Sequence, residues 1–377
     1  MTARELLAVP MQSAIGSDIQ SGVARRAGVL WCTRHPGASA PGRTAMVFIH
    51  PSSNFMGHYA LQGLSELGVD AIGMTTRYLG NESALLLENC VLDIGSVVAH
   101  LRDSGYQRVV LVGNSGGGGL VALYQNQAER PTITSPPGGG SPDLTKANLP
   151  PADALVMLMA HPGRNSVLTE KLDPAVLDEN DPFVRDEELD MFCERNGPPY
   201  SAEFLDSYHT AQVARNRRIT EWARNRLEAL ETLSGGRVTD LPFVVHATMA
   251  DPRNLDLRLD PSDRAATTQW GPPYTANLQP ATLGHFTTLQ SWLSQWSWDE
   301  SHGNGPARLS TVTVPVHVIY GTADAGCYPG HARALYDAVG HPNKVLTAVE
   351  HGRHYLSDQP EQLAFTCQVL ADWAHSL

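Results

Sequence analysis

The sequence predicts an α/β protein: a mostly parallel central sheet flanked by helices, with a large, mainly helical cap inserted after strand six. Three observations carry this expectation. From about residue 45, short apolar runs alternate with amphipathic stretches at helical spacing, the pattern of parallel strands joined by right-handed crossovers. One run, VVLVGNSGGGGLVALY at residues 109–124, turns at a Ser boxed by glycines directly into a helix-like stretch. The rhythm then fails over roughly residues 163–307 and returns to the C-terminus, so residues 1–162 and 308–377 are expected to form one core domain and 163–307 the inserted cap.

The elements follow in order. ARRAGVLWCTR is expected to contribute to leading antiparallel strands, and AMVFIHP (45–51) reads as a strand buried on both faces because it is continuously apolar. FMGHYALQGLSELG reads as a helix closed at Gly68, and VDAIGMTTRY as the next strand. In SALLLENCVLDIGSVVAHLRDSG, Leu87, Val91, Ile94, Val98 and Leu101 recur at helical spacing and Gly105 ends the run. RVVLVGN is a strand and GGLVALYQNQAE a helix. PTITSPPGGGSPDLTKANLPP carries no apolar face and reads as a mobile surface insertion, before the strand ADALVMLMAHP (152–162). The interrupted region holds polar helices such as SAEFLDSYHTAQVARNRRITEWARNRLEALETL, whose basic part reads as a solvated face, and the aromatic stretch FTTLQSWLSQWSWDE. Strand VPVHVIYGTAD (314–324), helix GHARALYDAVG, strand KVLTAVE and helix PEQLAFTCQVLADWAHSL close the chain.

Composition bounds the function. The formal net charge of -12 argues against nucleic acid or an anionic membrane as the main partner. No run of apolar residues reaches membrane-spanning length, and no basic segment followed by an apolar one opens the chain, so a cytoplasmic protein is expected. Five scattered cysteines with no C-x-x-C pair read as buried small hydrophobes in a reducing compartment, without a thiolate metal site. The closely spaced Asp251, Asp256, Asp260 and Asp263 lack a calcium-loop pattern and are interleaved with Arg253, Arg258 and Arg264, so a salt-bridged turn is expected.

The glycines around Ser115 explain themselves sterically. A strand ending in G-x-S-x-G and turning abruptly into a helix forces the Ser into a strained positive-φ conformation, so Gly113 and Gly117 must be small on its flanks. Gly116, directly after it, leaves an N–H free at the positive end of the helix. Phosphate-loop patterns do not match. With Gly113-Asn114-Ser115-Gly116-Gly117, FIHPSSN, YGTADAGCYP and EHGRHYLSD in this chain order, the sequence resembles the α/β-hydrolase superfamily across its sheet domain, though not across the cap.

That resemblance implies a Ser–acid–His set. Ser115 would be the nucleophile. Asp324, in the GTAD turn, would be the acid, and Asp358 competes only by breaking the chain order. The base would be His354 in G-R-H-Y-L, with His351 the competing candidate. The oxyanion would be held by the N–H of Gly116 and, by position in the loop after AMVFIH, by that of Ser52, with Ser53 as fallback. Pro51 stands where the family usually has Gly and has no N–H to give. His161 and Arg164 fall at the carboxyl edge of the sheet, where His161 could contact substrate and Arg164 hold a substrate carboxylate, or where both shape the junction with the cap. Trp292 and Trp296, four apart on an expected helix, read as core or as an aromatic lining above Ser115. The implied reaction is hydrolysis of a carboxylic ester or lactone of a small to medium apolar or aromatic substrate. No metal or cofactor is needed, no nucleic-acid or membrane partner is expected, and a homodimer stays open. A carbon–carbon bond hydrolase, an amidase, an acyltransferase or a non-catalytic receptor would use nearly the same residues.

Overall fold

The structure is a computed structural model that describes residues 4–12, 28–37, 44–280 and 282–377. In chain order the core begins with β1 (Glu5–Pro10), β2 (Val29–His35), β3 (Thr44–Ile49), α1 (Leu61–Glu66), β4 (Asp70–Met74), α2 (Leu87–Asp103), β5 (Arg108–Asn114), α3 (Gly117–Glu129) and β6 (Ala154–Leu158). The insertion contains α4 (Arg164–Thr169), the pair β7 (Val176–Asp178) and β8 (Asp181–Arg185), and the long α5 (Ala202–Ser234). It continues through β9 (Pro242–Val244), α6 (Pro273–Leu278), β10 (Phe286–Thr288) and α7 (Leu289–Ser291), which runs into a π-helical turn over Trp292–Trp296. The chain then returns through α8 (Gly305–Leu309), β11 (Val316–Gly321), α9 (Pro329–Ala338), β12 (Lys344–Val349) and α10 (Pro360–Ser376).

Eight strands form one sheet in the order β1-β2-β4-β3-β5-β6-β11-β12. Only the pairings of β2 with β1 and β4 are antiparallel. The other strands run parallel, with the helical insertion between β6 and β11. Alternate residues of each central strand enter opposite cores. Val47, Ile49, Leu111 and Met157 pack with α2, α3 and α9, whereas Met46, Phe48, Val112 and Val156 pack with α1 and α10. Burial on both faces is why these strands read as unbroken apolar runs. Among the described residues, no helix is long and apolar enough to cross a membrane.

Several expectations change. Residues 24–27 of ARRAGVLWCTR lie outside the described residues, and β2 begins at Val29. FMGHYALQGLSELG is not one helix. Asn54 caps a single 3-10 turn, and α1 starts only at Leu61 and ends at Glu66, with Gly68 at φ 85° turning the chain beyond it. The segment 131–151 is not a mobile surface insertion: Ile133, Leu144 and Leu149 belong to the main core, and the side-chain oxygen of Gln127 accepts the N–H groups of Thr132 and Ile133 at 2.9 Å each. Three apolar side chains spaced through polar text escape a periodicity reading. The basic face of α5 is not wholly solvated, because Arg215 is buried, paired with Glu179 at 2.7 Å and bonded to carbonyls of Asp173 and Ala247. Arg217, Arg218 and Arg224 do stand at the surface, paired with Asp299, Glu179 and Glu300. Asp251 and Asp256 pair with Arg253 and Arg258, both at 2.7 Å. All five cysteines are free, and four are buried, Cys193 being the exception.

Candidate active site

Ser115 stands at the carboxyl end of β5 with φ 54°, a left-handed conformation that few non-glycine residues adopt. Its neighbours make the turn possible by having no side chains. A Cβ on Gly117 would lie 2.0 Å from the carbonyl oxygen of Ile49, and one on Gly113 would lie 2.4 Å from the carbonyl oxygen of Gly117. Gly118 faces Ala160, whereas Gly119 abuts Gly303 on the chain returning from the insertion, so only the first of these two serves the close helix–sheet approach. Gly116 caps α3, and its N–H is bonded to no acceptor among the described residues.

Asp324 and His354 come together because the turns after β11 and β12 touch through glycine. A Cβ on Gly321 would lie 2.1 Å from the carbonyl oxygen of Gly352, and Ala323 donates its N–H to that same oxygen at 3.0 Å. The buried Asp324 carboxylate accepts the N–H groups of Gly326 at 2.7 Å and Cys327 at 2.9 Å on one oxygen. Its other oxygen lies 2.9 Å from His354 Nδ1, and His354 Nε2 lies 3.0 Å from Ser115 Oγ. Burial opposes a charge on His354, but the Asp324 carboxylate and then Cys327 outweigh it and hold the imidazole well above its ordinary value. The competing candidates lie elsewhere. His351 is exposed and pairs with Asp263 at 3.0 Å, and Asp358 is exposed and pairs with Arg353 at 2.6 Å.

The loop after β3 departs from expectation. The N–H of Ser52 points at His50 Nδ1 at 3.2 Å, and the N–H of Ser53 points at the same atom at 3.0 Å. Ser52 Oγ bonds Glu82 at 3.0 Å. Neither serine lines the cavity at Ser115, so the Ser52 and Ser53 assignments are corrected: both amides are spent on His50 within their own loop. The consequence falls on His50. Two amides donating to Nδ1 leave the ring hydrogen on Nε2. A Cβ on Gly116 would lie 3.1 Å from that Nε2, so this donor stands beside the free Gly116 N–H. Burial first, then the Arg164 cation, push the His50 pKa down to about 3, which keeps the ring neutral.

A narrow cavity of about 40 Å³ opens on Ser115, Gly116, His354 and Cys327. The insertion and the β6 edge supply further walls, among them His161, Arg164, Lys171, Gln269 and Trp296, and His50 and Glu82 complete the lining from the sheet side. His161 and Arg164 are therefore brought to Ser115, as is Trp296, over whose ring the Arg164 guanidinium lies at 4.3 Å. Trp292 is not. It is buried against Leu168, Ile219 and Leu293, with its indole N–H on Thr220 at 3.0 Å. The expected aromatic lining is thus one tryptophan, covered by a cation. Lys171, Gln269, Cys327 and Glu82 also face the cavity and were not read from the sequence; a lone Lys in TEKLDP or Glu in GNESA carries no local mark of burial. A second groove, about 670 Å³ between α2, residues 138–141 and the end of α5, contains none of these groups. One group of His, Cys and acidic donors lies within ligand reach among the described residues, Asp324, Cys327 and His354. Its carboxylate is already filled by two amides and an imidazole.

No protein-family model matches the sequence, and no curated protein matches it. Among solved structures, the chain is similar to DcsB in complex with its substrate analogue, at 11% identity over 99% of each chain and a TM-score of 0.50. It is also similar to the esterase domain of a Rhodothermus marinus protein, at 12% identity over 99% of this chain and 98% of that one, TM-score 0.49. A third, the α/β hydrolase GrgF from Penicillium sp. sh18, gives 11% identity over 98% and 97%, TM-score 0.49. Identities this low speak for the fold alone. With the sheet order, the strand–turn–helix at Ser115 and the helical insertion after the sixth strand, the conclusion is that this chain has the α/β-hydrolase fold.

Proposed function

We propose that the protein is a serine hydrolase that cleaves a carboxylic ester or lactone through an acyl-enzyme. The observation that carries this reading is the unbroken chain from Ser115 Oγ to His354 Nε2 at 3.0 Å and from His354 Nδ1 to Asp324 at 2.9 Å. A hydroxyl is a weak nucleophile until a neighbouring base can take its proton, and that base must be held in one tautomer. Asp324 accepts the Nδ1 hydrogen, which leaves Nε2 free to accept from Ser115.

The steps follow from these positions. As Ser115 Oγ bonds to the carbonyl carbon, its proton moves to His354 Nε2 and the carbonyl π pair becomes an oxyanion. The Gly116 N–H and the His50 Nε2–H receive that charge, and the Arg164 guanidinium adds positive potential beside them. The imidazolium is stabilised by Asp324. It then gives its proton to the leaving oxygen as the bond from carbon to that oxygen breaks. Water attacks the acyl-enzyme by the same route, giving its proton to His354, and the acid and free Ser115 result. Cys327 takes no part in these transfers.

A fluorophosphonate probe tests the reading. Modification should appear as a mass shift on the Ser115 peptide, vanish in Ser115→Ala and fall sharply in His354→Ala. A folded wild-type protein that stays unlabelled and cleaves no ester would overturn it in favour of a binding protein.

A further inference from the structure

Resting on that reading, we infer that the substrate bears a carboxylate on its acyl side and that Lys171 is the group that receives it. Lys171 follows α4 in the insertion and is 2% exposed, yet its Nζ makes one hydrogen bond, to the carbonyl oxygen of Gly326 at 3.3 Å. No carboxylate among the described residues pairs with it. The adjoining Glu170 is taken by Arg253 and by His331, the latter at 2.8 Å. A buried ammonium without a counter-ion is expensive unless its site is built to receive one. Two of its three hydrogens remain to be given, and it lines the same cavity as Ser115.

Its surroundings agree. The other cation of the cavity, Arg164, already has a counter-ion in Glu82, whereas its buried Nε has no hydrogen-bond partner among the described residues. His161, 5% exposed on the same wall, likewise has an unpartnered Nδ1. Burial, together with the positive charge of His331, Lys171 and Arg164, holds His161 well below its ordinary value, so this wall offers donors and positive potential. The narrow volume suits a small planar anion better than a bulky ring. A short half-ester of a dicarboxylic acid, or a lactone carrying a carboxylate, has this form.

The test compares methyl hydrogen glutarate with methyl pentanoate, which has the same five-carbon acyl chain but no charge. Wild-type protein should favour the half-ester by at least about thirtyfold in kcat/KM. Lys171→Met should bring that ratio close to one, mainly by raising KM for the half-ester, and Lys171→Arg should keep most of it. Free glutarate should slow fluorophosphonate labelling of Ser115 in wild type and in Lys171→Arg, and not in Lys171→Met. If Lys171→Met does not fold, Lys171→Gln serves in its place. Equal rates on the two esters in a protein that labels at Ser115, or a ratio unchanged by Lys171→Met, would overturn the inference and leave the hydrolase reading standing. Failure of Ser115 to label would strike the hydrolase reading itself.

Discussion

The sheet side of the cavity and the insertion side hold their groups by different means. On the sheet side, Ser115 follows β5 directly, Asp324 lies three residues beyond β11 and His354 five beyond β12. Parallel strands that pair in register end at one edge, so residues just past their ends meet whatever lies between them in sequence. On the insertion side, Arg164, Lys171, Gln269 and Trp296 come from a short helix, its flank, a loop and a π-helical turn spread over more than a hundred residues. No repeat or spacing connects them. The difference teaches that the groups proposed to react are fixed by a regular sheet, whereas those on the opposite wall of the cavity are fixed by irregular packing.

Removing a sheet-side group should therefore break function with little harm to folding. Ser115→Ala or His354→Ala should lower kcat for an ester by about 10⁴–10⁶-fold, with the double variant no worse than either alone, as steady-state rates would show. The oxyanion loop is a sharper test, because sequence position and structure disagree there. His50→Ala should cost about 10²–10³-fold in kcat, as for loss of one oxyanion donor, while Ser52→Ala, which keeps its backbone amide, should stay within about threefold. The reverse order would restore the backbone donor and remove His50 from the mechanism.

On the insertion side the largest consequence should be stability. Trp292→Ala empties a filled site in a separate small core and should lower unfolding free energy by about 3–5 kcal/mol, measured by denaturant melts. Any activity that survives in the folded fraction should be close to normal. A substrate-specific loss of activity instead would put Trp292 back at the cavity. The mildest test is pH. His354 acts as a base only when neutral, and its pKa is held above the usual value of about 6.5 for histidine. The kcat/KM should fall as pH drops through that raised value and level off above it. His50, with its pKa near 3, should add no limb in the range where the protein is folded.

Legibility followed the same division. The alternating strands and the elbow at Ser115 could be read because each is a local rule, a period or a steric demand, and the order Ser–Asp–His followed from the family resemblance. The misreadings came where local text was silent. In His50-Pro51-Ser52-Ser53, the position pointed to Ser52, but which way an amide faces depends on the acceptor beside it, and that acceptor was His50 Nδ1. In residues 131–151 the Pro- and Gly-rich wording concealed three side chains that reach the core. Trp292 and Trp296 share a helical spacing and one buried cluster, yet Trp296 alone also borders the cavity, a matter of packing that no spacing records.

By itself, the sequence determined the sheet and the strained serine, since backbone sterics and alternating burial act over a few residues; its partners Asp324 and His354 came from the family resemblance. Only the tertiary structure decided that the His50 imidazole stands against Gly116 and that Lys171 lines the cavity at Ser115 with no carboxylate paired to it among the described residues. Both depend on contacts between segments far apart in the chain, and the free energy of such contacts is written in no single stretch of it.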